Sequence, residues 1–200
     1  MKTVRSPLVV LLALSPLAAG VAAAAQSSNV SPSARYAWSE TCGFVNFRDA
    51  GSPAGAQGVV IGERFLSGFA WGENIGFINF GDGVPGAGLE YANLNGADFG
   101  VNVDPSTGAL YGLAWGENVG WINFDTRAAL TPFGQHARVD FAAGRLRGYG
   151  WGENIGWVNL DHAQVFVGFA AQCPGDTNGD GVVNFADLNA VLSAFGAVCR

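Results

Sequence analysis

At 200 residues, with 49% apolar side chains and 30 glycines, the chain can bury a core and is rich in turns, which favours an ordered β protein over a disordered one. Its formal net charge is −6 and Lys2 is its only lysine, so it has no basic footprint for nucleic acid and no phosphate-loop or Schiff-base lysine in the body of the chain. The two histidines, His136 and His162, lie in no metal or nucleophile motif, and no catalytic constellation is found.

Residues 1–25 carry Lys2 and Arg5, an apolar run over 8–17, and a closing Ala23-Ala24-Ala25. This is the layout of a secretory signal peptide cut near Ala25. Ser15, Pro16 and Gly20 interrupt the apolar run, and no later run is long enough to span a bilayer, so a membrane anchor is the weaker reading. Removal of the leader leaves eight arginines against sixteen acids, a net charge of −8. The expected location is extracellular or the cell surface. Residues 26–35 are polar and read as a linker.

From residue 36 the chain repeats one phrase four times: YAWSETCGF at 36–44, FAWGENIGF at 69–77, LAWGENVGW at 113–121 and YGWGENIGW at 149–157. The lead tryptophans, Trp38, Trp71, Trp115 and Trp151, are spaced by 33, 44 and 36 residues. Three copies follow an apolar-alternating segment, at 58–68, 99–112 and 137–148, and each then reads as a three-stranded meander with a GEN-x-G turn. The first copy lacks that segment, whereas 163–169 follows the fourth as an orphan strand. Pairing of that orphan with the first copy would close four units into a propeller-like ring over 36–169. A β-sandwich is the other arrangement that covers both faces. Side chains alternate, so Ile122 and Phe124 point one way, Trp121 and Asn123 the other.

Glu40, Glu73, Glu117 and Glu153 recur at one position. Four equivalent carboxylates do not supply the two unlike environments that glycoside hydrolysis needs. The structural reading has each Glu accepting turn hydrogen bonds or pairing with an arginine, and each lead Trp filling a core wedge between units. The other reading makes the rings an exposed platform for sugars or a partner. Cys42 stands where Ile75, Val119 and Ile155 stand in the other copies, as suits a free buried thiol. Cys173 and Cys199 are then left as disulfide partners. The repeats resemble the WGENxGW-type repeats of secreted bacterial proteins of unknown function, over 36–161, and that resemblance implies no activity.

The tail, 173–200, holds DTNGDGVVNFAD at 176–187. Its spacing is that of an EF-hand calcium loop: Asp176, Asn178 and Asp180 at positions 1, 3 and 5, and Gly181 at the sharp turn. The Val182 carbonyl, Asn184 and Asp187 complete the oxygen set. Leu188, Val191, Leu192 and Phe195 follow as an apolar helix stripe before Gly196. Over 176–196 this resembles one loop-helix repeat of a type I dockerin. Dockerins carry two such repeats and this chain has one. The resemblance implies either a cohesin-like or cell-surface partner, or a self-contained calcium staple. The whole reads as a secreted, non-enzymatic binding or structural protein attached through its tail. The alternative is an accessory or catalytic component of a polysaccharide-degrading system.

Overall fold

The computed structural model describes residues 28–170 and 185–195. In chain order the strands are β1 (Val30–Ser39), β2 (Gly43–Asn46), β3 (Val60–Ile61), β4 (Leu66–Ser67), β5 (Phe69–Gly72), β6 (Gly76–Asn79), β7 (Val101–Val103), β8 (Leu110–Gly116), β9 (Gly120–Asn123), β10 (Arg138–Asp140), β11 (Arg145–Arg147), β12 (Tyr149–Gly152), β13 (Gly156–Asn159) and β14 (Val167–Phe169). The helices are α1 (Arg127–Leu130) and α2 (Phe185–Ala194). Neither is long and apolar enough to cross a membrane.

Each repeated phrase folds as a tight hairpin: β1–β2, β5–β6, β8–β9 and β12–β13. Gly43, Gly76, Gly120 and Gly156 end the turns at φ of 78°, 77°, 77° and 67°, a left-handed backbone that glycine adopts without a Cβ clash. Hairpin joins hairpin through β2–β5, β6–β8, β9–β12 and β13–β1. The result is a closed eight-stranded antiparallel barrel, neither a propeller-like ring nor a sandwich. Closure leaves these eight strands without a free edge.

An eight-stranded barrel has an interior just wide enough for side chains, and the sequence fills it in layers. Cys42, Ile75, Val119 and Ile155 are buried at the turn end, and Phe47, Phe80, Phe124 and Leu160 at the other. Val45, Ile78, Ile122 and Val158 lie between them, facing the smaller Ala37, Ala70 and Ala114. The Phe80 ring centroid is 5.1 Å from that of Phe47 and 5.3 Å from that of Phe124.

Gly72, Gly116 and Gly152 leave room for the turn-end layer. A Cβ there would lie 2.6 Å from Ile75 Cγ1, 2.4 Å from Val119 Cγ2 and 2.8 Å from Ile155 Cγ1. The first copy makes the reverse trade. Ser39 stands in place of the glycine, and the smaller Cys42 in place of the branched residue; both are buried.

The remaining strands extend the barrel at the end away from the GEN turns. β3–β4, β7 with the first half of β8, and β10–β11 are short hairpins. Successive ones are linked by the Phe65–Asn102 and Ala109–Arg138 bridges, by Val103 N donating to Arg64 O at 2.7 Å and by Leu110 N donating to Ala137 O at 2.9 Å. β14 pairs with β11 and, at Val30 and Arg35, with β1, so of the orphan segment 163–169 only its last three residues form a strand, and they join the stretch of β1 that leads into the first copy. Asn29 closes this tier: Ile61 N donates to its Oδ1 at 2.8 Å and its Nδ2 donates to Ile61 O at 2.9 Å. The expected linker 26–35 is therefore in part strand. Val30 is fully buried, and the Asn29 amide bonds to β3 as a backbone unit would.

Candidate functional site

Small inward residues on the first strand of each hairpin push the large rings outward. Because Ala70 and Gly72 face the core, Trp71 between them faces out. Trp71, Trp115, Trp121, Trp151 and Trp157 are 38–42% exposed, and Trp38 is half-buried. The expectation of tryptophan wedges within the core is corrected: an eight-stranded interior already filled by Ile, Val and Phe has no space for an indole.

On the outer face every hairpin carries one cross-strand aromatic pair. Trp38–Phe44, Trp71–Phe77, Trp115–Trp121 and Trp151–Trp157 have centroids 4.8, 4.6, 4.6 and 4.7 Å apart, with interplanar angles of 62°, 66°, 62° and 62°. This edge-to-face geometry is favourable for aromatic rings. A third ring extends each group: Tyr36, Phe69, Phe99 and Tyr149, at 5.7, 5.9, 5.2 and 6.2 Å. Where two hairpins meet, the lead Trp of one sits opposite an Asn of the previous one, as Trp71↔Asn46, Trp115↔Asn79, Trp151↔Asn123 and Trp38↔Asn159.

Three of these seams are hollow. Between β2 and β5 a groove of about 520 Å³ is lined by Tyr36, Phe44, Asn46, Trp71, Glu73 and Asn74. Between β13 and β1 a groove of about 510 Å³ is lined by Trp38, Glu40, Tyr149, Trp157, Asn159 and His162. A shallower one of about 320 Å³ between β9 and β12 holds Asn123, Asp125, Trp151 and Trp157. There Arg127 donates two hydrogen bonds to Asp125, at 2.8 and 2.7 Å, and holds that carboxyl below its ordinary range.

The turn residues differ from expectation in two ways. Glu40, Glu73, Glu117 and Glu153 are all exposed. Among the described residues they make no salt bridge, and the arginines pair with Asp49, Asp125, Asp140 and Asp161 instead. The turn needs no carboxylate acceptor because it closes on its own backbone, as where Ile75 N donates to Gly72 O at 3.2 Å. The Asn of GEN bonds to the preceding turn. Asn74 donates to Cys42 O at 3.2 Å, Asn118 to Ile75 O at 3.2 Å and Asn154 to Val119 O at 3.0 Å. Thr41 and Ser39 complete the ring by donating to Ile155 O. The signal for this ring was the recurrence of Asn in three copies, with hydroxyls in the fourth.

In the tail, α2 begins at Phe185, and Asp187 is buried in its first turn. Asp176, Asn178, Asp180, Val182 and Asn184, with Cys173 and Cys199, lie outside the described residues. The stripe residues Leu188, Val191, Leu192 and Phe195 are exposed. Among the described residues no group of His, Cys, Asp and Glu could hold a metal ion. Cys42 is free and buried. Comparison with known proteins finds no family model, no curated protein and no solved structure that matches the chain.

Proposed function

We propose that this is a secreted glycan-binding protein without catalytic activity, whose eight-stranded barrel is built from four copies of one repeat and whose tail, a calcium-stapled loop and helix, attaches it to a surface or partner. The observation that carries the reading is the repeated pairing of a lead Trp, exposed in three of the four copies and half-buried in the first, with an Asn across each seam. A flat ring stacks on the C–H face of a pyranose, while amide and carboxylate groups beside it bond to hydroxyls; a mostly apolar concavity with a few polar groups is the general form of a ligand site. Groove volumes near 520 and 510 Å³ fall within the range of such sites. The tail reading rests on the oxygen spacing at 176–187.

Affinity electrophoresis of the full chain through gels containing neutral and amine-bearing polysaccharides, paired with a reducing-end assay, tests this. Retardation without product release is expected, and the Trp71→Ala and Trp151→Ala variants should each be retarded less than the unaltered chain. Because these rings are about 40% exposed, each substitution should cost about 1–2 kcal/mol of stability, less than the 3–5 kcal/mol typical of a fully buried Trp. Release of reducing ends would replace the binding reading with the enzyme reading, and unretarded migration in every gel would remove both.

A further inference from the structure

The groove between β2 and β5 has one charged group in its lining, Glu73. Nothing basic neutralises it. Arg35, which packs on the Tyr36 ring at 5.2 Å, is held by Asp49 at 2.8 Å. Arg48 donates to Ser28 O at 3.3 Å, Arg127 pairs with Asp125, Arg138 donates to Gly134 O at 2.9 Å, and Arg145 and Arg147 both pair with Asp161. Among the described residues only Arg64 lacks an acceptor, and it lies in the β3–β4 turn, on the tier away from the GEN turns.

No arginine lines this groove, while an exposed carboxylate stands two residues after each lead Trp on all four turns. An aromatic face beside an unpaired carboxylate attracts a cation twice, through the ring quadrupole and through direct charge. The same surface repels uronic or sulfated chains, as does the net charge of −6.

We infer that the seams select an amine-bearing polysaccharide, a polymer of amino sugars with free ammonium groups, over its neutral and acidic counterparts. This rests on the glycan reading above and adds its charge class. The pyranose ring stacks on Trp71 and Phe44 while the ammonium group meets Glu73. The other turns present Glu40, Glu117 and Glu153 in the same relation to Trp38, Trp115 and Trp151.

The test is calorimetric titration of the full chain at about pH 5.5, where amino-sugar amines are protonated and carboxylates are still ionised, with a β-1,4-glucosamine tetramer and with its fully N-acetylated form, which has the same rings but no ammonium groups. An exposed ion pair with an exposed cation–π contact gives the free-amine tetramer an advantage of about 5- to 30-fold. That ratio should shrink in high salt. In the quadruple Glu40→Gln, Glu73→Gln, Glu117→Gln, Glu153→Gln variant, whose altered side chains are all exposed, the ratio should approach one. Trp71→Ala should weaken both ligands. Equal affinity for the two tetramers, or a ratio that the quadruple variant leaves intact, overturns the charge selection and leaves glycan binding standing. Capture of polylysine with neither tetramer bound overturns both readings in favour of a protein partner.

Discussion

Transplanting the first copy's trade into the second should reveal a strong coupling between turn and strand. Gly72 has no left-handed φ, so a side chain there meets a space problem alone: its Cβ would lie 2.6 Å from Ile75 Cγ1 and 3.2 Å from Cδ1. Ile75 is 6% exposed and enclosed by the barrel. The Gly72→Ser variant should therefore lose about 1–3 kcal/mol to overpacking. The Ile75→Cys variant should lose about 1–3 kcal/mol through the cavity it opens. Independent effects would sum to about 2–6 kcal/mol, whereas the double variant reproduces the buried Ser39/Cys42 arrangement and should lose about 1 kcal/mol or less. Its new hydroxyl has an acceptor in Cys42 O, which takes one bond from Asn74 at 3.2 Å and has a second lone pair. Urea unfolding followed by tryptophan fluorescence measures all three variants. A double variant that loses the full sum would show that the volumes of the two positions are not linked.

Asp125 is held below its ordinary range by Arg127, and Asp140 by the Ala143 amide and Arg147. A depressed carboxyl pKa stabilises the fold above the unfolded value of about 3.9, and that contribution is lost as pH falls through the folded value. The urea midpoint should therefore drop below about pH 4 and drop less in Asp125→Asn; a flat midpoint down to pH 2 would contradict this. Cys42, being buried, should alkylate slowly in the native protein and rapidly in denaturant. Mass spectrometry of unreduced, alkylated protein should then place one label on Cys42 and a bridge between Cys173 and Cys199, worth about 2–4 kcal/mol; a bridge to Cys42 would overturn the pairing. The tail should bind one calcium ion through Asp176, Asn178, Asp180, Val182 O, Asn184 and Asp187. Asp176→Ala and Asp187→Ala should weaken that binding severely without moving the barrel's urea midpoint. Calorimetry of the full chain that detects no calcium-dependent heat would remove the site.

The meeting of the chain ends was legible in part, because the first copy has no recognisable apolar strand ahead of it and 163–169 has no hairpin partner of its own; the barrel itself closes one layer away, through β13 and β1 at Trp38↔Asn159, a pairing to which neither feature points. Strand alternation likewise placed Ile122 and Phe124 on one face. The choice of which face is the inside was harder, because tryptophan is the larger hydrophobe and burial by size points inward. The deciding information was in the neighbours. Ala70, Gly72, Ala114 and Gly116 flank the tryptophans with small residues, as a narrow barrel interior requires, and Asn79 and Asn123 share the face of the rings opposite them. Ser28 and Asn29 read as linker by composition, yet Asn29 takes the place of a strand partner through its amide. That substitution of side chain for backbone leaves no hydrophobic pattern to find.

The inside and outside of this barrel are under different constraints, and the first copy separates them. Its interior changes are paired: Ser39 enters where Cys42 shrinks, and Thr41 keeps the inter-turn bond that Asn makes elsewhere. Arg35 occupies the position that Gly68, Gly112 and Gly148 hold in the other copies. A Cβ at those three bends would come within 2.2–2.4 Å of a carbonyl oxygen. Gly68, Gly112 and Gly148 take left-handed φ of 85°, 93° and 78°, whereas Arg35 does not, so the first copy passes this point without the bend that demands glycine. On the outer surface no such pairing is needed, and there the first copy borders the grooves of about 520 and 510 Å³, one on each side. Val165 lines one and His162 the other, both from the segment that returns to β14. The site where the ends of the barrel meet is therefore the site where symmetry is weakest, and it is where the four seams can differ most in what they hold.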